Sequence, residues 1–117
     1  MKRILLCLMV ALFATGCLFA KNNDEKMNVM SYNIRYDNSG DKDNQWKFRR
    51  DFAADLVKFH EADVFGAQEV LNNQLNDLLD RLPEYAYVGV GREDGKTKGE
   101  YAPIFYRKDR FSVEKNG

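Results

Sequence analysis

The sequence predicts an α/β fold on three observations. Residues 27–34 alternate with the period of a strand. From 46–59 and from 71–82 apolar residues recur at helical spacing, and between them residues 63–68 form a short, nearly continuous apolar run. Strand, helix, strand, helix is the order of a parallel unit, and its first crossover is expected to be parallel and right-handed. At 117 residues, 44% apolar and 31% charged, the chain suits one globular domain and excludes repeat arrays and disordered tracts.

Everything before residue 27 reads as lying outside that fold. Lys2 and Arg3 precede an apolar run over residues 4–13, then Ala14, Thr15, Gly16 and Cys17, the layout of a bacterial export signal. The run falls short of the about 20 residues that a membrane-spanning helix needs, so residues 1–20 are expected to be a removed leader. Ala14-Thr15-Gly16-Cys17 resembles a lipobox, whose cysteine is acylated and becomes the mature N-terminus; cleavage after Ala20 is the alternative. The protein is thus expected to be exported, either anchored to the cell envelope through Cys17 or free in the periplasm or medium. Residues 21–26 read as a tether and 27–117 as the domain. Both cysteines, Cys7 and Cys17, lie in the leader, which leaves the domain no disulfide, thiolate metal site or cysteine nucleophile. Losing Lys2 and Arg3 leaves 16 basic against 18 acidic side chains, a net charge of −2. That balance does not suit a generic polyanion binder.

The elements follow in order. The first strand turns Met30, Tyr32 and Ile34 to one face and Val29, Ser31 and Asn33 to the other. Residues 37–44, rich in Asn, Asp and Gly, form a loop with Asn44 placed to cap the next helix. That helix begins at Trp46 and carries Phe48, Phe52, Leu56 and Phe59 as its apolar positions. Val64, Phe65, Gly66 and Ala67 suit a strand buried on both faces. Leu71, Leu75, Leu78, Leu79 and Leu82 mark a second helix, which Pro83 ends. Residues 85–90 and 101–107 read as strands around a Gly-rich polar loop, Pro103 points to an edge or a bulge in the second of them, and residues 111–114 suggest the start of another.

Parallel strands end on the same sheet edge, so Asn33 and Glu69 should emerge side by side where open α/β sheets bind ligands. A carboxylate directly after a buried strand calls for a cation, and Mg²⁺ is a hard ion held by one or two carboxylates with water. A place in the first turn of the second helix, near its positive end, would equally explain Glu69. Asn33 can donate and accept, which suits a phosphate oxygen or support of a carboxylate, or simply a turn after a strand. Arg35 offers a planar fork to phosphate or sits solvated at the surface. His60 suits a helix C-terminus. Residues 91–100, with Arg92 among mixed charges, could hold a phosphate or be a flexible hairpin, and they match no phosphate-loop fingerprint.

Met30-Ser31-Tyr32-Asn33-Ile34-Arg35, Asp63-Val64-Phe65-Gly66-Ala67-Gln68-Glu69, Gly89-Val90-Gly91-Arg92 and Ala102-Pro103-Ile104-Phe105-Tyr106 together resemble the endonuclease/exonuclease/phosphatase superfamily, in a secreted bacterial subgroup. The resemblance implies the N-terminal part of a four-layer α/β/β/α sandwich. It implies Mg²⁺ or Mn²⁺ held by Glu69, Asn33 as an active-site residue, and Arg35 and Arg92 as phosphate contacts; Arg35 stands where some branches have Asp. Implied substrates are phosphoesters of nucleic acid, sugar or lipid, with nuclease as the family default and no obligate protein partner. The family's Asp-x-Asn element, middle histidine and terminal Asp-His pair have no counterpart among these residues, and His60, on the helix joining the first two strands, cannot replace them. The chain is therefore expected to be a fragment of a metal-dependent hydrolase, inactive by itself. A non-catalytic exported domain, or pseudo-enzyme, that associates through its exposed sheet is the alternative.

Overall fold

A computed structural model describes residues 26–117; the leader, Cys17 and all of the tether except Lys26 lie outside the described residues. Four strands form one sheet: β1 (Val29–Asn33), β2 (Val64–Gln68), β3 (Tyr85–Val88) and β4 (Ile104–Arg107), in the spatial order β1-β2-β4-β3. β1 and β2 run parallel with Asn33 opposite Gln68, while β4 is antiparallel to both β2 and β3. Two helices, α1 (Trp46–Phe59) and α2 (Asn72–Arg81), follow β1 and β2 respectively.

The alternation over residues 27–34 is real, with Met30 and Tyr32 packed on the core and Val29, Ser31 and Asn33 exposed. β2 sits between β1 and β4. Its Phe65 and Ala67 are buried, and Phe65 stacks on Phe105 of β4 with ring centroids 4.6 Å apart. Leu75 and Leu78 of α2, and Leu82 directly after it, join the same core, with Trp46, Ala53, Ala54 and Val57 from α1. Two of the four layers of the expected sandwich, helices and sheet, are thus present in the described residues. The second face of the sheet carries Val64, Gly66, Ile104 and Tyr106, none of them buried.

Four local expectations need correcting. The phenylalanines of α1 are not its core face: Phe48, Phe52 and Phe59 are 62%, 68% and 79% exposed. The small Ala53 and Ala54 allow close packing on the other side, and Trp46, with its indole N–H 2.8 Å from Asp77 Oδ2 of α2, anchors that face. Asn44 does not cap α1. Gln45 takes the cap position without a side-chain bond, and two 3₁₀ turns over Ser39–Asn44 instead begin at Asn38, whose side chain accepts from Gly40 N. Pro103 does not mark an edge, because it directly precedes β4, which lies between β2 and β3, and its carbonyl accepts from Ala67 N at 3.0 Å; the pairing does slip by one residue beside it, from Gly66 opposite Ile104 to Val70 opposite Tyr101, as at a bulge. No strand forms over residues 111–114; Phe111 N instead bonds Arg107 O at 3.0 Å in the turn that ends β4.

Candidate active site

β1 and β2 end in register, and the residues that follow them meet. Asn33 Nδ2 donates to Glu69 Oε1 at 2.8 Å, across 36 positions of sequence. The N–H of Tyr36 donates to Glu69 Oε2 at 3.3 Å, and the N–H of Arg35 donates to Asn33 Oδ1 at 2.8 Å. Asn33 therefore turns its oxygen back to its own chain and its NH₂ to the carboxylate. Arg35 and Glu69 both adopt φ 59°, a left-handed conformation that costs a non-glycine residue roughly 1 kcal/mol or more. These hydrogen bonds, with others from the helices, hold the two turns in place.

The hydrogen bond from Asn33, then the one from the Tyr36 N–H, hold the Glu69 carboxyl below its ordinary value. Both hydrogen-bond donors are neutral, and the Arg35 guanidinium adds only a weaker attraction without pairing directly with Glu69. Among the described residues it makes no ion pair, and no group of three or more His, Cys, Asp or Glu side chains gathers as a ready-made metal cage. A lone hard carboxylate, supported by an amide and open to water, fits a divalent ion such as Mg²⁺ that keeps most of its waters.

Glu69 and Asn33 line a cleft of about 560 Å³ with Gln68, Arg92, Glu100 and Tyr101. The exposed Arg92 guanidinium lies 3.2 Å from Glu100. Arg35 faces a different cleft, with Asp41, Asn44 and Arg49, and the Nε–Nη2 edge of its guanidinium is taken by Asp41 at 2.9 and 2.8 Å. His60 lies at the far end of the sheet, edge-on to Phe59 and beside Met27 and Met30. The cleft there is as large, about 580 Å³, but no carboxylate lines it. Residues 91–100 are internally bonded, with Asp94 Oδ1 accepting from Lys96 N and Lys98 N. Gly91 approaches the Lys98 backbone too closely for any Cβ. Cys17 lies outside the described residues.

Three supporting residues, Asp41, Arg49 and Gln74, do not stand out in the sequence. Arg49 donates to Ile34 O at 2.8 Å and to Asn44 O at 2.6 Å, bracing the turn after β1. Gln74 stands at the third position of α2, where Gln or Glu commonly reaches back to the start of a helix, and that signal could have found it. Nothing local distinguishes Asp41 from its neighbours Asp37 and Asp43.

Helices on one face of a mixed sheet, with an amide and a carboxylate at the C-terminal edge of its parallel pair, define an α/β protein of the class that binds ligands at that edge. No family model and no curated protein matches the chain. Solved structures do. An endonuclease/exonuclease/phosphatase from Bacteroides vulgatus is 55% identical over 73% of this chain and 33% of that one, with a TM-score of 0.72. An endonuclease/exonuclease/phosphatase family protein from Bacteroides thetaiotaomicron is 44% identical over 78% of this chain and 34% of its own, with a TM-score of 0.76. A mannosyl-6-phosphatase from Bacteroides thetaiotaomicron is 44% identical over 79% of this chain and 35% of its own, with a TM-score of 0.77. The chain belongs to the endonuclease/exonuclease/phosphatase superfamily, a family of phosphoester hydrolases, and spans about a third of the length of these relatives.

Proposed function

We propose that this chain carries the metal-binding corner of a divalent-metal-dependent phosphoester hydrolase acting on a small phosphorylated substrate, a sugar phosphate before a nucleic acid. The observation that carries the reading is Glu69, ionised, open to a cleft, and bonded only to neutral donors. Glu69 would hold Mg²⁺ or Mn²⁺, which supplies Lewis-acid stabilisation of charge on the phosphoryl oxygens. Asn33 and the Tyr36 N–H fix the two carboxylate oxygens. Arg92 is held by one exposed ion pair to Glu100, a bond weak enough to be exchanged for a substrate phosphate.

The choice of a sugar phosphate rests on the 44% identity to a mannosyl-6-phosphatase and on the net charge of −2 after the leader, which gives little driving force for a long polyanion. Groups that activate water are proposed to come from the part of the family fold that this chain does not span, packed against the uncovered sheet face. Export, with Cys17 acylated or the leader cut after Ala20, is part of the same proposal, and the N-terminal mass of the exported protein tests it.

The activity is tested by assaying the full-length protein with Mg²⁺ and Mn²⁺ on mannose 6-phosphate and on a generic phosphodiester. Metal-dependent phosphate release from the sugar phosphate is expected. Preference for the diester would overturn the substrate class, and no turnover on either would favour the non-catalytic exported domain.

A further inference from the structure

We propose that Gln74 is a positioning residue of the Asn33–Glu69 site, acting through the backbone on either side of Tyr36; this rests on the reading of Glu69 as a metal ligand. Gln74 is fully buried, at 0% exposure, alongside the core residues Val70, Leu75 and Leu78. A leucine would fill such a place more cheaply, since a buried amide is tolerated only when its bonds are made. Every one of those bonds goes to the two turns that carry the site. Nε2 donates to Arg35 O at 2.8 Å, and Oε1 accepts from Asp37 N and from Leu71 N, each at 3.0 Å.

The Arg35 carbonyl and the Tyr36 N–H belong to one planar trans peptide and point in opposite directions. Gln74 grips one end of that plane while Glu69 Oε2 accepts from the other. Its oxygen holds the next N–H along, at Asp37, and also the N–H two residues after Glu69. One side-chain amide thus bolts the turn after β1 to the turn after β2, and both turns contain a left-handed residue, Arg35 or Glu69, that needs such support. Leu71 has no polar side chain to reciprocate, so this is only half of a capping box, and the spare bonding capacity of the glutamine goes to the site loop.

Three variants of the full-length protein are compared: Gln74→Met, which keeps length and volume without polar bonds; Gln74→Glu, which keeps the acceptor for Asp37 and Leu71 but cannot donate to Arg35 O; and Asn76→Ala, on the exposed side of α2. The measurements are Mg²⁺ affinity by calorimetry, amide hydrogen exchange at Tyr36 and Asp37, and kcat against KM. Loss of support around a metal ligand typically costs about 10- to 100-fold in affinity. Gln74→Met is expected to show a loss of that size, with faster exchange at Tyr36 and Asp37 and a fall in kcat; Gln74→Glu, which turns a buried carboxylate oxygen against Arg35 O, should lose at least as much, and Asn76→Ala should be unaltered. Wild-type exchange covers the case in which Gln74→Met does not fold, because slow exchange at Asp37 is required by the buried bond and fast exchange would overturn the proposal. A folded Gln74→Met that melts earlier yet binds Mg²⁺ normally would also overturn it, leaving a purely structural glutamine. Glu69→Gln, run alongside, separates the two readings: if it too binds Mg²⁺ normally, the metal site itself falls and this inference with it.

Discussion

Two carboxylates flank the same strand and lead opposite lives. Asp63 stands immediately before β2 and Glu69 immediately after it. Asp63 is 4% exposed, accepts the Asn28 N–H at 2.8 Å, and lies 2.6 Å from the Arg110 guanidinium. The Asn28 N–H first, and then Arg110, hold its carboxyl below the ordinary range. Its charge is spent on joining the start of β1 to the turn after β4. Glu69 is also held low, but chiefly by an amide and a backbone N–H, with a smaller pull from Arg35 and no ion pair, so its charge is left for something else. Both carboxylates border the same strand, and the charge of the partner separates staple from site.

The sharpest test separates the two ends by where their partners come from. Asp63 has its partners within this chain, whereas the chemistry at Glu69 is proposed to need groups beyond it. Residues 21–117 expressed alone should therefore show no Mg²⁺- or Mn²⁺-dependent hydrolysis above background, and should self-associate through the uncovered sheet face when their mass is measured in solution. A monodisperse monomer with turnover would erase the distinction.

Within the full-length protein, Glu69→Gln should lower turnover by at least about 100-fold, more than the loss of an outer support typically costs, while its melting temperature stays near that of the wild type. Asp63→Asn should do the reverse. Removing one partner of a nearly buried pair leaves Arg110 without its counter-charge, and with Arg110 one-third exposed a loss of about 2 kcal/mol is expected by denaturant titration, with kcat of the folded fraction unchanged.

Acid sharpens the comparison further. A carboxyl with a lowered folded pKa contributes stability that is present above its unfolded value and lost as pH falls through the folded one. For Asp63 the unfolded value is about 3.8. Wild type should therefore lose stability faster than Asp63→Asn as pH drops below that value, and the two melting curves should converge. The smallest effect sets the floor for all of these. Phe52→Ser, on the exposed face of α1, should change stability by no more than about 0.5 kcal/mol, whereas Val57→Ala, at 0% exposure, should cost about 1 kcal/mol or more.

Much of the fold is legible in the amino-acid order. Period-two and period-3.6 patterns locate four strands and two helices because a half-buried strand and an amphipathic helix must sort their side chains by face. The same logic brings Asn33 and Glu69 to one sheet edge, since parallel neighbours end together. Which face of α1 is buried is not legible. Hydrophobicity favours Phe48, Phe52 and Phe59, but close packing selects Ala53, Ala54 and Val57 with Trp46 as the anchor, because shape decides how near a helix can lie. Asn44 and Pro103 mislead for a related reason: the residue type permits a cap or an edge, and only the path of the chain decides whether one is needed. Hydrogen-bond partners lie furthest from the sequence. Arg35 finds Asp41, Glu69 finds Asn33, and Gln74 finds three backbone groups in two turns. The order of elements and the residues at the sheet edge can be read from the amino-acid order, because they depend on local periodicity. Which of Asp63 and Glu69 is neutralised follows only from the folded chain, because it depends on contacts between residues tens of positions apart.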